Sequence, residues 1–430
     1  MRNLPKYLLA FLLFLLPLLG KSASILLPMD EIQKDHLKSY GIAFWILKRG
    51  QTVDWLLNYR GGSFMANYSK DLENECNIRG VSYEVVPDAK VAQINAEIAD
   101  PSANMELVKL EKPPRMALYS PPDKGPLEDA VFLVLRYAEI PFDIIYDEEV
   151  LKGDLSKYDW LHLHHEDFTG QYSKFNRGYN ESQGSFYQKD REIQEARAKR
   201  LGYKKVSKMK LAVAQTIRTF TAGGGFLFAM CSGADSFDIA LAAANTDIVD
   251  DLYDGDGADP AAQSKLDYSQ TVAFQNFNVA LDGYSPMKFS DIDVGRMGRG
   301  GRGGGRDMST DFFTLFDFSA KWDVVPSMLT QNHDKVIKGF MGLATAFNKN
   351  RLKPGVIIMG ERKAMDEARY IHGEYGKGQW TFYGGHDPED YQHGLNDPPT
   401  DLKLHPNSAG YRLILNNVLF PAAKKKHQKT

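Results

Sequence analysis

The chain has 430 residues, and its 52 lysines and arginines nearly balance its 55 aspartates and glutamates, for a formal net charge of −3. So small a net charge produces no long-range field of either sign, which argues against nucleic acid or an anionic membrane surface as a partner. The sequence contains two cysteines, Cys76 and Cys231, a density that excludes a disulfide-rich scaffold. The length leaves room for two domains, or for one large domain with an extension.

The first residues have the three-part pattern of a secretory signal peptide. Basic residues precede an apolar run over residues 8–19, and small residues follow it. The run is too short to span a bilayer comfortably, and no cysteine follows it for lipid attachment. We therefore expect a signal peptide over residues 1–24 and a mature protein that begins between about Lys21 and Ile25. The mature protein is then periplasmic or extracellular and has no membrane contact; a retained membrane anchor is the alternative.

Short apolar strands alternate with helical stretches downstream, and this pattern predicts an α/β fold with a doubly wound parallel sheet. An N-terminal α/β unit is expected over residues 25–110. Its predicted elements are a strand at 24–28, a helix at 31–48, a strand at 53–59, a helix at 71–79 and a strand at 81–86. The turn that contains Arg60 follows the second strand, where open α/β sheets tend to bind ligands. Arg60 is therefore a candidate binding residue, with an ordinary exposed turn as the alternative.

A second, larger domain is expected over residues 111–430, after a proline-containing linker. Its predicted elements are strands at 115–119, 142–146, 160–164, 355–359 and 380–383, helices at 126–138, 207–221, 236–244 and 410–418, and an apolar strand that leads to Cys231. The alternation breaks at about residues 247–322, which indicates an irregular insertion. A glycine and arginine stretch at 295–306 lies inside it. Such a stretch can bind RNA, but we interpret it as a flexible loop.

Cys231 lies in the clearest local feature, the run Gly-Gly-Gly-Phe-Leu-Phe-Ala-Met-Cys-Ser-Gly that ends at Gly233. It is placed between a buried strand and the start of a helix, where the helix dipole lowers a thiol pKa and favours the thiolate. The backbone N–H groups of Ser232 and Gly233 have no intrahelical acceptor there and are natural oxyanion donors. Gly233 also allows close backbone packing. A buried structural cysteine, or a disulfide with Cys76, is the alternative.

The turn from Ala229 to Gly233 resembles the cysteine elbow of class I glutamine amidotransferases and their protease and chaperone-like relatives. Ala229 replaces the usual first glycine. The segment from Gly376 to Glu389 is similar to the family segment that carries the partner histidine: a glycine turn, a strand and then His386. The resemblance covers roughly residues 115–421 and implies a flavodoxin-like fold.

In that family Cys231 would attack an acyl carbon, and His386 would take and return the proton. Glu389 or Asp387 would orient the imidazole. Family members have proline and then glutamate directly after the histidine, whereas Asp387 intervenes here and moves the glutamate to position 389. The third member of the triad therefore stays open between these two carboxylates.

A second polar segment, His162-Leu163-His164-His165-Glu166-Asp167, follows a strand at what should be the same edge of the sheet. His162 and His164 share one face of that strand, so together with Glu166, His386 or His393 they could hold a divalent metal. We prefer His164, His165 and Glu166 as substrate-binding residues, and expect neither a metal nor a cofactor. The acidic run from Asp250 to Asp259 has the spacing of a calcium loop but no closing glutamate, and predicts a solvated loop.

We interpret the chain as an exported cysteine-dependent amidase or related acyl hydrolase that acts on a small-molecule or peptide amide. A catalytically silent ligand-binding protein of the same fold is the first alternative, and the displaced glutamate favours it. The second is an asparagine synthetase of the B type, because Ser232 to Ser236 is similar to the Ser-Gly-Gly-x-Asp-Ser loop of ATP-pyrophosphatase domains. That run is one residue short, and the amino-terminal cysteine of those synthetases is missing.

Overall fold

A computed structural model describes residues 23–122, 129–171, 184–281, 289–295, 311–339, 344–390 and 398–423. The predicted signal sequence up to residue 22, the glycine and arginine stretch beyond residue 295, and His393 lie outside these ranges. Within them, no helix is long and apolar enough to cross a membrane.

The N-terminal residues form a five-stranded sheet. Its strands are β1 (Ala23–Leu27), β2 (Val53–Leu57), β3 (Ser63–Asn67), β4 (Glu84–Pro87) and β5 (Glu106–Leu110). They lie in the order β4-β1-β3-β2-β5, and every neighbouring pair is antiparallel. The parallel arrangement expected here is wrong, because the short turn between β2 and β3 can join only antiparallel neighbours.

Three helices accompany this sheet: α1 (His36–Lys48), α2 (Lys70–Arg79) and α3 (Asp88–Ala99). The first begins five residues later than the sequence predicts. The cause is Asp35, whose carboxylate accepts a hydrogen bond from the Lys38 N–H at 2.8 Å and so caps the helix.

The remaining chain builds a ten-stranded mixed sheet. Its strands are β6 (Met116–Tyr119), β7 (Asp143–Ile145), β8 (Trp160–Leu163), β9 (Phe226–Met230), β10 (Phe312–Leu315), β11 (Val336–Lys338), β12 (Phe347–Asn348), β13 (Ile357–Arg362), β14 (Glu367–Tyr375) and β15 (Gly378–Tyr383). Strands β7-β6-β8-β9-β15 are parallel and adjacent in that order. Strands β10 to β14 continue the sheet beyond β15 by antiparallel pairing. The fold is therefore α/β, with a sheet that is parallel only in part.

The longer helices of this part of the chain are α4 (Ala130–Tyr137), α5 (Asp147–Lys152), α6 (Gly184–Arg200), α7 (Val206–Gly223), α8 (Ser232–Ala242), α9 (Val324–Leu329) and α10 (Ala409–Leu419). Two four-residue helices, Asp251–Asp254 and Ala262–Lys265, lie in the predicted insertion. The strand β10 also falls inside the predicted insertion, so the sheet resumes before residue 322.

Helix α10 joins the two sheets, and one hydrophobic core includes residues from both. The Tyr40 hydroxyl of α1 donates to the Asn416 side-chain carbonyl of α10 at 2.5 Å. Arg412, fully buried in α10, donates to the backbone carbonyls of Met29 and Gly61. These bonds satisfy a buried cation with backbone dipoles and hold the N-terminal sheet against the rest of the chain.

Candidate functional site

Cys231 lies at the junction between β9 and α8, as the sequence predicts. Its backbone has φ 49° and ψ −143°, a conformation that a residue with a side chain rarely adopts and that costs on the order of 1–3 kcal/mol. Its N–H donates to the carbonyl oxygen of Gly385 at 3.0 Å. Because β9 and β15 are parallel neighbours, Cys231 and His386 leave the sheet at the same edge.

Gly233 brings the helix start against the end of β8. A Cβ atom at this position would collide with the His164 carbonyl oxygen, so the close packing expected of this glycine is present. The Gly233 N–H donates to that same oxygen at 2.5 Å. The expectation that Gly233 supplies an oxyanion donor is therefore corrected, because its N–H is already engaged. The Ser232 N–H has no acceptor among the described residues and is the remaining donor of the two.

The carboxylate of Asp129 contacts two of the histidines that the sequence singles out, His162 and His164. Its carboxylate oxygens lie 3.2 Å from His162 Nε2 and 3.4 Å from His164 Nδ1. The same carboxylate caps α4 by accepting from the N–H groups of Val131 at 2.7 Å and Phe132 at 3.1 Å. The sequence analysis missed Asp129, although an aspartate directly before an apolar helical run is a usual N-cap signal.

Burial and neighbouring polar groups shift the pKa values of His164 and Asp129. Burial lowers the pKa of His164 to about 4, so its imidazole is neutral at pH 7. For Asp129, burial alone would raise the pKa of the carboxyl, but the charges and hydrogen bonds of His162 and His164 outweigh burial and hold that pKa well below its usual range. The second nitrogen of His162 lies 3.1 Å from the Phe228 carbonyl oxygen, so both of its ring nitrogens have partners.

His164, His165 and His386 form what we call the three-histidine cluster. The ring centroid of His164 lies 4.5 Å from that of His386 and 5.0 Å from that of His165, with both pairs edge to face. His165 and His386 are stacked at 5.9 Å. Each ring offers a nitrogen within 4.8 Å of the other two. His164 Nε2 is buried and has no hydrogen-bond partner among the described residues.

The two carboxylates proposed to orient His386 make other contacts. Asp387 is buried, which raises the pKa of its carboxyl, and it accepts from the Glu389 N–H at 2.9 Å. The Glu389 carboxylate accepts from the Ser408 hydroxyl and lies 3.3 Å from His405 Nδ1. Asp129 is a carboxylate that does contact histidines at this edge, namely His162 and His164.

The Glu166 side chain is part of a buried network of hydrogen bonds that includes Tyr146 and Lys210. Its carboxylate accepts from the Tyr146 hydroxyl at 2.7 Å. Behind it, the fully buried Lys210 donates to Tyr146 at 3.0 Å, to Tyr119 at 2.9 Å and to Asp147 at 3.0 Å. This network fixes the loop after β8 to the helices α5 and α7.

The first turn of α8 carries two polar side-chain groups in addition to the Ser232 N–H predicted as an oxyanion donor. Burial raises the pKa of the Asp235 carboxyl well above its usual range. Its Oδ1 atom and the Ser232 hydroxyl are buried and have no partner among the described residues. Native proteins leave few buried polar atoms unpaired, and such atoms are typical of ligand sites.

Two other residues considered from the sequence, Arg60 and Cys76, lie in the N-terminal part of the chain. Arg60 belongs to the turn between β2 and β3 of the N-terminal sheet, where it pairs with Asp30 and Glu84 at 2.7 Å each. Cys76 is buried in α2, where burial raises the pKa of its thiol to about 12, and no disulfide joins it to Cys231. The predicted disulfide alternative is therefore not formed.

The acidic loop of the insertion contacts a lysine. Lys205 Nζ lies 2.8 Å from Asp247 and 3.1 Å from Asp254, and it also contacts Asp256. A side-chain cation thus occupies the position that a calcium ion would need.

No family model and no curated protein matches the chain. Among solved structures it is similar to the cytoplasmic protein STM3548 from Salmonella typhimurium, with a TM-score of 0.34 and 11% identity over 72% of this chain and 100% of that one. The cytoplasmic protein STM1381 from Salmonella typhimurium LT2 gives a TM-score of 0.34 and 10% identity over the same shares. Gan42B, a GH42 β-galactosidase from G. stearothermophilus, gives 0.24 and 12% identity over 64% of this chain and 28% of that one. TM-scores this low do not establish a shared fold.

Proposed function

We propose that the chain is an exported, cysteine-dependent amidase or related acyl hydrolase of the class I glutamine amidotransferase-like superfamily. Its substrate is a small-molecule or peptide amide, and it needs no cofactor for the acyl transfer. The observation that carries the proposal is the backbone of Cys231, held at φ 49° between a buried strand and a helix start. Backbone strain of this kind clusters at functional sites and aims a nucleophile out of the sheet.

The order of the parallel strands supports this proposal. Numbered among themselves along the chain, the strands β7-β6-β8-β9-β15 have the order 2-1-3-4-5, which is that of flavodoxin-like sheets. Ligands of such sheets bind beyond the carboxyl ends of the strands, where the strand order reverses. The β8 loop with His164 and His165, the elbow after β9, and His386 after β15 all leave the sheet at that edge.

The proposed reaction has two half-reactions. Cys231 Sγ attacks the acyl carbon while His386 takes the thiol proton, and the carbonyl oxygen becomes an oxyanion facing the Ser232 N–H. The C–N bond then breaks as His386 returns the proton to the leaving amine, which leaves a thioester. Water attacks the thioester with the same histidine as base, and releases the carboxylic acid and the thiol.

Alanine replacement of the two central residues tests the proposal, after a substrate is found in a screen of amides, peptides and esters. Cys231→Ala and His386→Ala should each lower turnover by several orders of magnitude with an unchanged fold. The double variant should lose no more than the worse single variant, because the residues act as a unit. Turnover that survives Cys231→Ala would refute the proposal. Asp387→Asn and Glu389→Gln, compared with each other, identify the carboxylate that matters.

A silent ligand-binding protein is the second candidate, and the contacts of Glu389 favour it. Glu389, the displaced glutamate of the family motif, is engaged by Ser408 and His405. In that case a ligand binds with unchanged affinity to wild type, Cys231→Ala and His386→Ala, and no substrate is turned over.

A further inference from the structure

We propose that His164, His165 and His386 form a binding site for a divalent transition-metal ion of the Zn²⁺ type. Three neutral imidazoles are a usual protein donor set for zinc, with a fourth position left open to water or substrate. Metal binding at this cluster does not depend on the function proposed above.

The spacing of the ring nitrogens is the first observation. One nitrogen from each ring lies within 4.8 Å of the other two. Tetrahedral zinc with bonds of about 2.0–2.1 Å separates its ligand nitrogens by roughly 3.4 Å, so an inward movement of each ring by about 1 Å closes the site. His165 and His386 are both partly exposed, so neither ring is enclosed in the core.

The orphaned atom of His164 is the second observation. Its Nδ1 faces the Asp129 carboxylate at 3.4 Å, and its Nε2 is buried without a partner among the described residues. A buried ring nitrogen with no hydrogen bond is costly, and a metal ion at the cluster would satisfy it.

Asp129 supplies the third observation. Metal-ligating histidines almost always donate their other ring N–H to a carboxylate or carbonyl, which fixes the tautomer and raises the basicity of the ligating nitrogen. Asp129 contacts Nδ1 of His164, which leaves Nε2 as the candidate ligand atom, and its own position is fixed by the α4 cap. His164 therefore has the carboxylate partner that is usual for a metal-ligating histidine.

A bound ion would also regulate the hydrolase, and this part rests on the proposed function. A neutral imidazole binds a metal or accepts a proton through the same lone pair on its unprotonated nitrogen, so His386 cannot ligate a metal and accept the Cys231 proton at the same time. Metal binding therefore holds the enzyme in a resting state, and metal removal releases the base.

Metal titration of the untagged mature protein tests the site itself. After chelator treatment and dialysis, Zn²⁺ should bind at one ion per chain in calorimetry or in competition with a chromophoric chelator. His165→Gln should weaken binding at least tenfold, because it removes a ligand whose side chain is not buried. Asp129→Asn should weaken it by about 10- to 100-fold while it keeps the α4 cap, since asparagine caps helices as well as aspartate does.

The matched control is His405→Gln, which removes a half-exposed histidine outside the cluster and should bind Zn²⁺ like wild type. Equal affinity of wild type and His165→Gln would overturn the proposed site. Equal affinity of wild type and Asp129→Asn would overturn the supporting role of Asp129.

Rate measurements separate this inference from the function. If Zn²⁺ lowers a Cys231-dependent rate and chelator restores it, both stand. A rate that needs Cys231 in a protein without stoichiometric Zn²⁺ binding overturns the metal site and leaves the hydrolase. A rate that rises with bound Zn²⁺ and survives Cys231→Ala leaves the metal site and overturns the cysteine mechanism.

Discussion

Because Gly233 has no side chain, the start of α8 packs directly against the backbone of the loop after β8. The backbone of α8 touches the His164 carbonyl so closely that no Cβ atom fits. This contact positions the helix start, and with it Cys231, relative to the three-histidine cluster.

Gly233→Ala should therefore destabilise the protein by about 1–3 kcal/mol, as overpacking does, and displace the His164 backbone. Urea denaturation measures the change in the free energy of unfolding. Gly223→Ala is the matched control, because a Cβ atom at the end of α7 meets no other atom. It should be neutral, or stabilising by up to about 1 kcal/mol. Equal stability of the two variants would mean that the elbow tolerates a side chain.

Sequence patterns could indicate individual site residues but not their partners. Cys231 and His386 each follow an apolar strand with a glycine beside them, and that local pattern is visible in the chain. Asp129 has a visible role as a helix cap. Its contact with His162 and His164 depends on β6, β8 and α4 packing together, which no local pattern encodes.

His372 is the titratable group that best tests the element β14. His372 lies fully buried in β14, opposite Thr381 of β15, and its Nδ1 atom is 3.1 Å from the Thr381 hydroxyl. Burial lowers its pKa to about 4, whereas an unfolded histidine titrates near 6.5. Between pH 4 and pH 6.5 the His372 ring is therefore mostly protonated in the unfolded chain and mostly neutral in the folded chain. The stabilising effect is therefore complete above about pH 6.5 and is lost as the pH falls to 4.

We expect His372→Asn to reduce the loss of stability between pH 7 and pH 4 by up to roughly 3 kcal/mol. Urea denaturation at several pH values gives this slope. The measurement at pH 8 is the internal control, because there any effect of the substitution on packing appears as a constant offset. Parallel curves for wild type and variant would show that His372 is not the group that titrates.

Some elements were predictable and others were not, for reasons visible in their contacts. Strands β1 and β6 are largely apolar runs, and strands β2 and β8 are apolar except for Asp54 and His162. Strand β14 was missed because its sequence contains charged residues that are nevertheless buried. Arg369 donates to Asp311 at 2.9 Å and to Glu367 at 3.1 Å, so an internal ion cluster replaces the apolar pattern. Strands β3 and β5 were missed because each follows a turn or loop too closely for periodicity to separate them.

For the whole molecule, export remains the main prediction. We expect the mature protein to begin between about Lys21 and Ile25 and to occur in the envelope or secreted fraction. A start at or before Ala23 preserves all of β1, whose pairing with β4 begins at Ala23 and Pro87. Intact-mass measurement of protein from that fraction gives the first residue directly. A mass that retains residues 8–19 would contradict the prediction and favour a membrane anchor.

The class of the fold was predictable at this scale, but its connectivity was not. Alternating strands and helices indicate α/β, and the structure is α/β. Whether neighbours run parallel depends on which strands pair, and the antiparallel N-terminal sheet and the strands β10 to β14 arise from pairings that the alternation does not determine.

The pairing of β9 with β15 has a consequence for biosynthesis. Phe226 lies beside Gln379, so a long stretch of chain must be made before these strands can meet, and contacts so distant in sequence form late in folding. Until β15 pairs with β9, the Gly385 carbonyl is not in place to accept the Cys231 N–H, and nothing from β15 stabilises the strained backbone of Cys231. In a chain whose β15 has not yet been made, Cys231 therefore lacks both the Gly385 contact and His386 at the same edge of the sheet. Cys231 and His386 therefore come to the same edge of the sheet only when β15 has paired with β9.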